Sequence, residues 1–140
     1  MLTKADLLRR IRAEAEATRG LTAAYLFGSF VRGQERARDI DLALLWHDGV
    51  SPGERHLRGE ALARSLEAAT GDHWPVDLVD LAAAPPALQH RVLSEGLRAF
   101  ERDPVARVRF EASTISKALD FIEWQRPYLD RWLESVALGR

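Results

Sequence analysis

Two apolar runs of seven residues, LTAAYLF (residues 21–27) and IDLALLW (residues 40–46), limit the folds open to this chain. Each is too short to make a buried helix, is rich in residues that suit strands, and is bounded by turn or charged residues, so each reads as a buried strand. The first stops at Gly28-Ser29. The second begins inside the sequence Asp39-Ile40-Asp41, which places two carboxylates where a buried strand starts.

The remaining chain supplies helices and one or two further strands. Thr3 followed by Asp6 offers a helix N-cap, and Leu7, Leu8, Ile11 and Ala15 recur at helical spacing, predicting a helix from Lys4 to about Arg19 with Gly20 as its stop. Pro52 suits the first turn of a second helix that ends at Gly71, with Leu57, Ala61, Ser65 or Leu66, and Ala69 on its core face. PVDLVDL predicts a third strand over Val76–Leu81. Pro85-Pro86 then breaks the chain before a short helix to about Glu95, and a minor strand is expected at Leu97–Glu101.

From Pro104 the pattern is helical, with Pro127 expected to kink or restart it. Val105, Val108, Ala112, Ile115, Leu119 and Ile122 alternate in steps of three and four, the seam of a helix packed on a core. Phe110, Thr114, Lys117 or Ala118, Phe121, Gln125, Tyr128 and Trp132 form a second, partly aromatic stripe. Burial of the first stripe would leave the second outward, as a docking or dimer face; the alternative is burial of the aromatic stripe against this chain's own sheet or short helix. The expected architecture is a single α/β domain over residues 1–140, with an α/β core to about residue 101 and a helical segment over about 104–138. Its few strands make a small mixed sheet flanked by helices.

Composition narrows the partners. Twenty basic residues against 21 acidic ones leave a formal charge of -1, which argues against broad binding to nucleic acid or an anionic membrane. The chain has no cysteine, so disulfides and thiolate metal sites are excluded, and no apolar run approaches a membrane span. The N-terminal residues carry scattered charge and no apolar core of a signal peptide, so a cytoplasmic protein is expected. His47, His56, His73 and His90 lack paired metal-ligand spacing. GSFVRG lacks the Gly-Lys-Ser/Thr ending of a P-loop, and Ser29 lacks the G-x-S-x-G frame of a hydrolase elbow.

On an extended strand Asp39 and Asp41 point to one face with Cα atoms about 6.6 Å apart. Like charges near 4 Å repel by roughly 4 kcal/mol at an effective dielectric of 20. A divalent cation removes that penalty, and Mg²⁺ favours one or two carboxylates together with substrate phosphates. Gly28 allows a tight turn at the strand end, and a helix starting after it would present free N–H groups to phosphate oxygens, with the Ser29 hydroxyl as a further donor.

Strand, Gly-Ser, nine intervening residues and Asp-Ile-Asp-Leu opening a second strand resemble the signature of the DNA-polymerase-β-like nucleotidyltransferase superfamily. GSFVRG with DIDLALL is most similar to its minimal nucleotidyltransferase (MNT) branch, which includes antitoxins of HEPN/MNT toxin-antitoxin modules. VDLVDL resembles the family's third-acid strand, and residues 101–121 resemble the C-terminal helix of MNT antitoxins.

The resemblance implies that Gly28, Ser29 and Arg32 bind nucleotide, and that Asp39, Asp41 and Asp77 are catalytic and ligate two Mg²⁺ ions. Strand alternation separates Asp77 from Asp80, and the motif selects Asp77. It also implies AMP transfer from ATP to a tyrosine hydroxyl of a cognate HEPN RNase toxin. Nucleotidyl transfer to a small molecule, and neutralisation by binding alone, are the alternatives. The toxin is the expected partner, with homo-oligomerisation through the C-terminal helix as a further possibility. Relatives often carry Ser or Thr where this chain has Arg38.

Overall fold

A computed structural model describes residues 2–33, 39–71 and 74–124, together with positions 131, 134 and 136. The elements run α1 (Lys4–Glu16), β1 (Leu21–Phe27), β2 (Ile40–Trp46), α2 (Pro52–Ala69), β3 (Val76–Asp80), α3 (Pro86–Glu95), β4 (Leu97–Glu101) and α4 (Pro104–Trp124). The four strands form one sheet in the order β3-β2-β1-β4. β1 is antiparallel to both β2 and β4, whereas β2 and β3 are parallel, so the sheet is mixed and flanked by helices, as the sequence predicts. Among the described residues no helix is long and apolar enough to cross a membrane.

Side-chain alternation divides the sheet into two unlike faces. On one, Leu26, Leu42, Leu44 and Phe100 pack with Leu7 and Ile11 of α1 and Leu62 and Leu66 of α2. On the other, Ala23, Tyr25, Phe27, Ala43 and Leu45 meet Leu81, Val92 of α3 and Phe110 of α4.

Several local expectations are corrected by long-range contacts. α1 ends at Glu16 rather than near Arg19, because Arg102 donates its guanidinium hydrogens to the carbonyls of Ala15, Glu16, Thr18 and Leu21 and so satisfies the helix end early. β3 stops at Asp80, and Leu81 begins a short 3₁₀ turn. On α2 the core face is Gly59, Leu62, Ala63 and Leu66, while Leu57 and Ala61 are exposed. Gly59 explains the rotation. A Cβ there would stand 3.2 Å from Leu78, with Leu44 and Trp46 next, so the missing side chain lets the helix settle on the sheet.

The two stripes of α4 are exchanged relative to expectation. Val105, Val108, Ala112, Ile115 and Leu119 face outward, whereas Phe110 packs on the sheet and Thr114 is buried. Polar anchors set this orientation. Glu111 accepts the Tyr25 hydroxyl at 2.8 Å and pairs with Arg107 at 2.7 Å, and Arg107 in turn pairs with Glu101 of β4. Burial and the Glu111 contact push the Tyr25 hydroxyl well above its ordinary pKa. The side chains of Phe121, Ile122, Gln125, Tyr128 and Trp132, and the expected kink at Pro127, lie outside what is described.

Candidate active site

The acids gather at one end of the sheet because of strand register. β1 delivers Gly28 at its C-terminal end, β2 delivers Asp39 and Asp41 at its start, and β3 delivers Asp77 at its start. Phe27 is the register partner of Asp41 in the antiparallel β1–β2 ladder, and Asp77 is its partner in the parallel β2–β3 ladder. Neighbouring strands lie about 4.8 Å apart, so Asp41 and Asp77 project side by side from the same face. Glu67 of α2 accepts the Val76 N–H at 2.9 Å and fixes the first residue of β3. Asp80 lies at the opposite end of β3, paired with Arg55 at 3.1 Å.

Gly28 and Asp41 are in intimate contact. Gly28 has φ +80°, and a Cβ built on it would stand 2.1 Å from Asp41 Oδ2. Both the left-handed backbone and the space claimed by the carboxylate require glycine there. The chain beyond is a turn over residues 29–33 rather than the expected helix, with the Arg32 N–H donating to Gly28 O at 3.2 Å and the Gly33 N–H to Phe30 O at 3.3 Å. Ser29 is half-buried in this turn, and Arg32 is exposed on it. Arg38 lies outside the described residues.

Asp41 is the electrostatic centre of the group. Partial burial, then the charges of Asp77 and Asp39, raise its pKa, while Arg32 and Arg91 act in the opposite direction. Asp39 and Asp77 are both exposed. Among the described residues no three His, Asp or Glu side chains stand close enough together to hold a metal ion. The donors nevertheless fit Mg²⁺: all are carboxylate oxygens, and their mutual repulsion at Asp41 is what a dication offsets.

Arg91 is a charge acting on Asp41 that the sequence did not single out. It follows Asp41 by 50 positions, and its neighbour Val92 buries α3 against Tyr25 and Phe27, which brings its charge to bear on Asp41. No motif marks it. Its charge is shared with Glu95, whose carboxylate lies 3.8 Å away.

A family model described as polymerase beta, nucleotidyltransferase matches residues 9–105, and the chain belongs to this family. The match ends where α4 begins. Solved structures extend the likeness. A toxin-antitoxin complex with AMP-PNP contains a chain 28% identical, with a TM-score of 0.64, covering 90% of this chain and 98% of that one. The complex of tri-AMPylated Shewanella oneidensis HEPN toxin with MNT antitoxin matches at 25% identity and a TM-score of 0.63, covering 94% and 99% of the two chains. A mutant of the MntA toxin-antitoxin complex matches at 26% identity and a TM-score of 0.61, with 94% and 99% covered. No curated protein sequence matches the chain.

Proposed function

We propose that this nucleotidyltransferase is the antitoxin of a toxin-antitoxin pair, and that it transfers AMP from ATP to a tyrosine hydroxyl of a HEPN RNase toxin and thereby neutralises it in the cytoplasm. The observation that carries the reading is the likeness, over 94% of this chain, to the complex of an AMPylated HEPN toxin with an MNT antitoxin. The strand-end site supports it with residues suited to the chemistry.

In this reading the backbone at Gly28 and the hydroxyl of Ser29 hold the triphosphate, and Arg32 and Arg91 add positive charge near Asp41. Asp39 and Asp41 would hold two Mg²⁺ ions, with Asp77 on the catalytic one. Bound Mg²⁺ supplies charge neutralisation for the phosphates and lowers the pKa of a coordinated hydroxyl. Asp77 takes the tyrosine proton as the phenolic oxygen bonds to the α-phosphorus and pyrophosphate leaves. We assign docking of the toxin to the outward seam of α4, whose steps of three and four suit contact with a helix of a partner.

The test combines the purified chain, ATP, Mg²⁺ and the product of the adjacent gene, followed by intact-mass analysis of that product. One or more added AMP units, absent with Asp41→Ala, are expected. An unmodified HEPN partner would overturn the reading, and AMP found instead on a small hydroxyl acceptor would redirect it.

A further inference from the structure

We propose that Phe30 and Trp74 form a brace that sets the phosphate-binding turn over the carboxylates, which makes both of them positioning residues for the nucleotide. The proposal rests on the nucleotidyltransferase reading of the site. Strand ladders place the acids: Phe27 and Asp77 flank Asp41 in register. Residues 28–33 lie beyond those ladders, because the chain leaves the sheet after Phe27. The turn's two internal hydrogen bonds fix its shape without fixing its place.

Besides the side chain of Val31, which packs on the α1 and α2 core, two ties fix the place. Lys4 donates its ammonium to the Val31 carbonyl at 3.3 Å in an exposed contact, which water weakens. The second tie is apolar. Phe30, next in sequence to Ser29, meets Trp74 edge to face, with ring centroids 5.4 Å apart and planes at 79°. Both rings are half-buried against the core on the α1 and α2 side of the sheet.

Trp74 is itself anchored where β2 and β3 begin. It precedes Pro75, whose carbonyl accepts the Ile40 N–H at 2.8 Å, and it stands three residues before Asp77. The ring contact therefore joins the turn carrying Ser29 to the segment that leads into β3 and holds the first residue of β2. An edge-to-face aromatic pair alters an equilibrium by about 2- to 12-fold beyond its burial. Loss of the brace leaves the carboxylates in register but frees the turn above them, so ATP binding and alignment suffer while the fold persists.

The test compares wild type with Phe30→Leu, Trp74→Leu, the double variant, Phe30→Tyr and Trp74→Phe. Leucine keeps apolar bulk without the ring edge, so the variants fold. Binding of an α,β-methylene ATP analogue with Mg²⁺ is measured by calorimetry and by tryptophan fluorescence, beside KM and kcat for AMP transfer and a thermal melt. Each leucine variant should bind the analogue about five- to tenfold more weakly, with KM raised more than kcat is lowered. The double variant should be no weaker than either single one, and Phe30→Tyr and Trp74→Phe should stay within about twofold of wild type. Leucine variants that bind as wild type does, or whose effects simply add, overturn the brace and leave the nucleotidyltransferase reading standing. Wild type that neither binds the analogue nor transfers AMP overturns that reading and the brace with it.

Discussion

The two faces of the sheet are packed by different means. The α1 and α2 face is filled by large aliphatic side chains, among them Leu7, Ile11, Leu26, Leu42 and Leu66, all with no exposed surface. The α3 and α4 face has fewer of these and relies on Tyr25, Glu111, Arg107 and Glu101 to hold its second helix. Asp41 and Asp77 project on this second face, at its open end. A face closed by hydrophobic packing serves as the platform, and the face held by directed polar contacts leaves room for charge.

Substitutions on the two faces should separate activity from stability. The largest effect is expected from Asp41→Asn, which should lower AMP transfer by about 10²- to 10³-fold, the scale of losing one electrostatic anchor of a transition state. Steady-state rates against the HEPN partner check this. The same variant should stabilise the metal-free protein at neutral pH. Its carboxyl is raised above its unfolded value by burial and by Asp77 and Asp39, so the fold binds that proton more tightly and wild-type stability falls as pH rises through the folded value. Melts in chelator should show the variant ahead at pH 7. The gap should close in acid, where the wild-type carboxyl is neutral. A variant less stable than wild type at pH 7 would break the view of Asp41 as the electrostatic centre of the acids.

Leu66→Ala on the platform should do the reverse. Deleting a fully buried leucine destabilises by about 2–5 kcal/mol in denaturant titrations, with KM unchanged in whatever fraction remains folded. Gly28→Ala lies between the faces and should harm both properties: about 1–3 kcal/mol of stability from the positive φ, and most of the activity because the new methyl contests the space of Asp41 Oδ2. Tyr25→Phe removes the tie from β1 to α4 and should cost about 1 kcal/mol, seen as faster amide exchange in α4. The smallest stability effect, within about 0.5 kcal/mol, is expected from Leu119→Glu on the outward seam, where 51% of the residue is exposed. That variant should still bind nucleotide but lose toxin in a pull-down. Retained complex would remove the seam from the docking assignment.

The limits of the sequence follow the same division. The tight turn at Gly28, the strand pair around it, the cap at Thr3, the start of α2 at Pro52 and the breaks at Gly20 and Gly71 were all legible, because each depends on residues a few positions apart. Even the resemblance to a nucleotidyltransferase rests on such a short-range pattern. The core face of α2 was not legible, since its contact is made by a glycine, which no hydrophobic pattern registers.

Sequence alone determined the order of strands and helices and put two aspartates at the start of β2, through local periodicity and backbone preference. Tertiary structure supplied the register that sets Asp77, to which only the family resemblance pointed, beside Asp41, and it alone decided that the charge of Arg91 acts on Asp41 and that Arg102 ends α1 early. It also decided which stripe of α4 turns inward. Both stripes satisfy helical spacing, and what breaks the tie is the pairing of Arg107 and Glu111 with Glu101 and Tyr25, partners brought near only by the folded sheet.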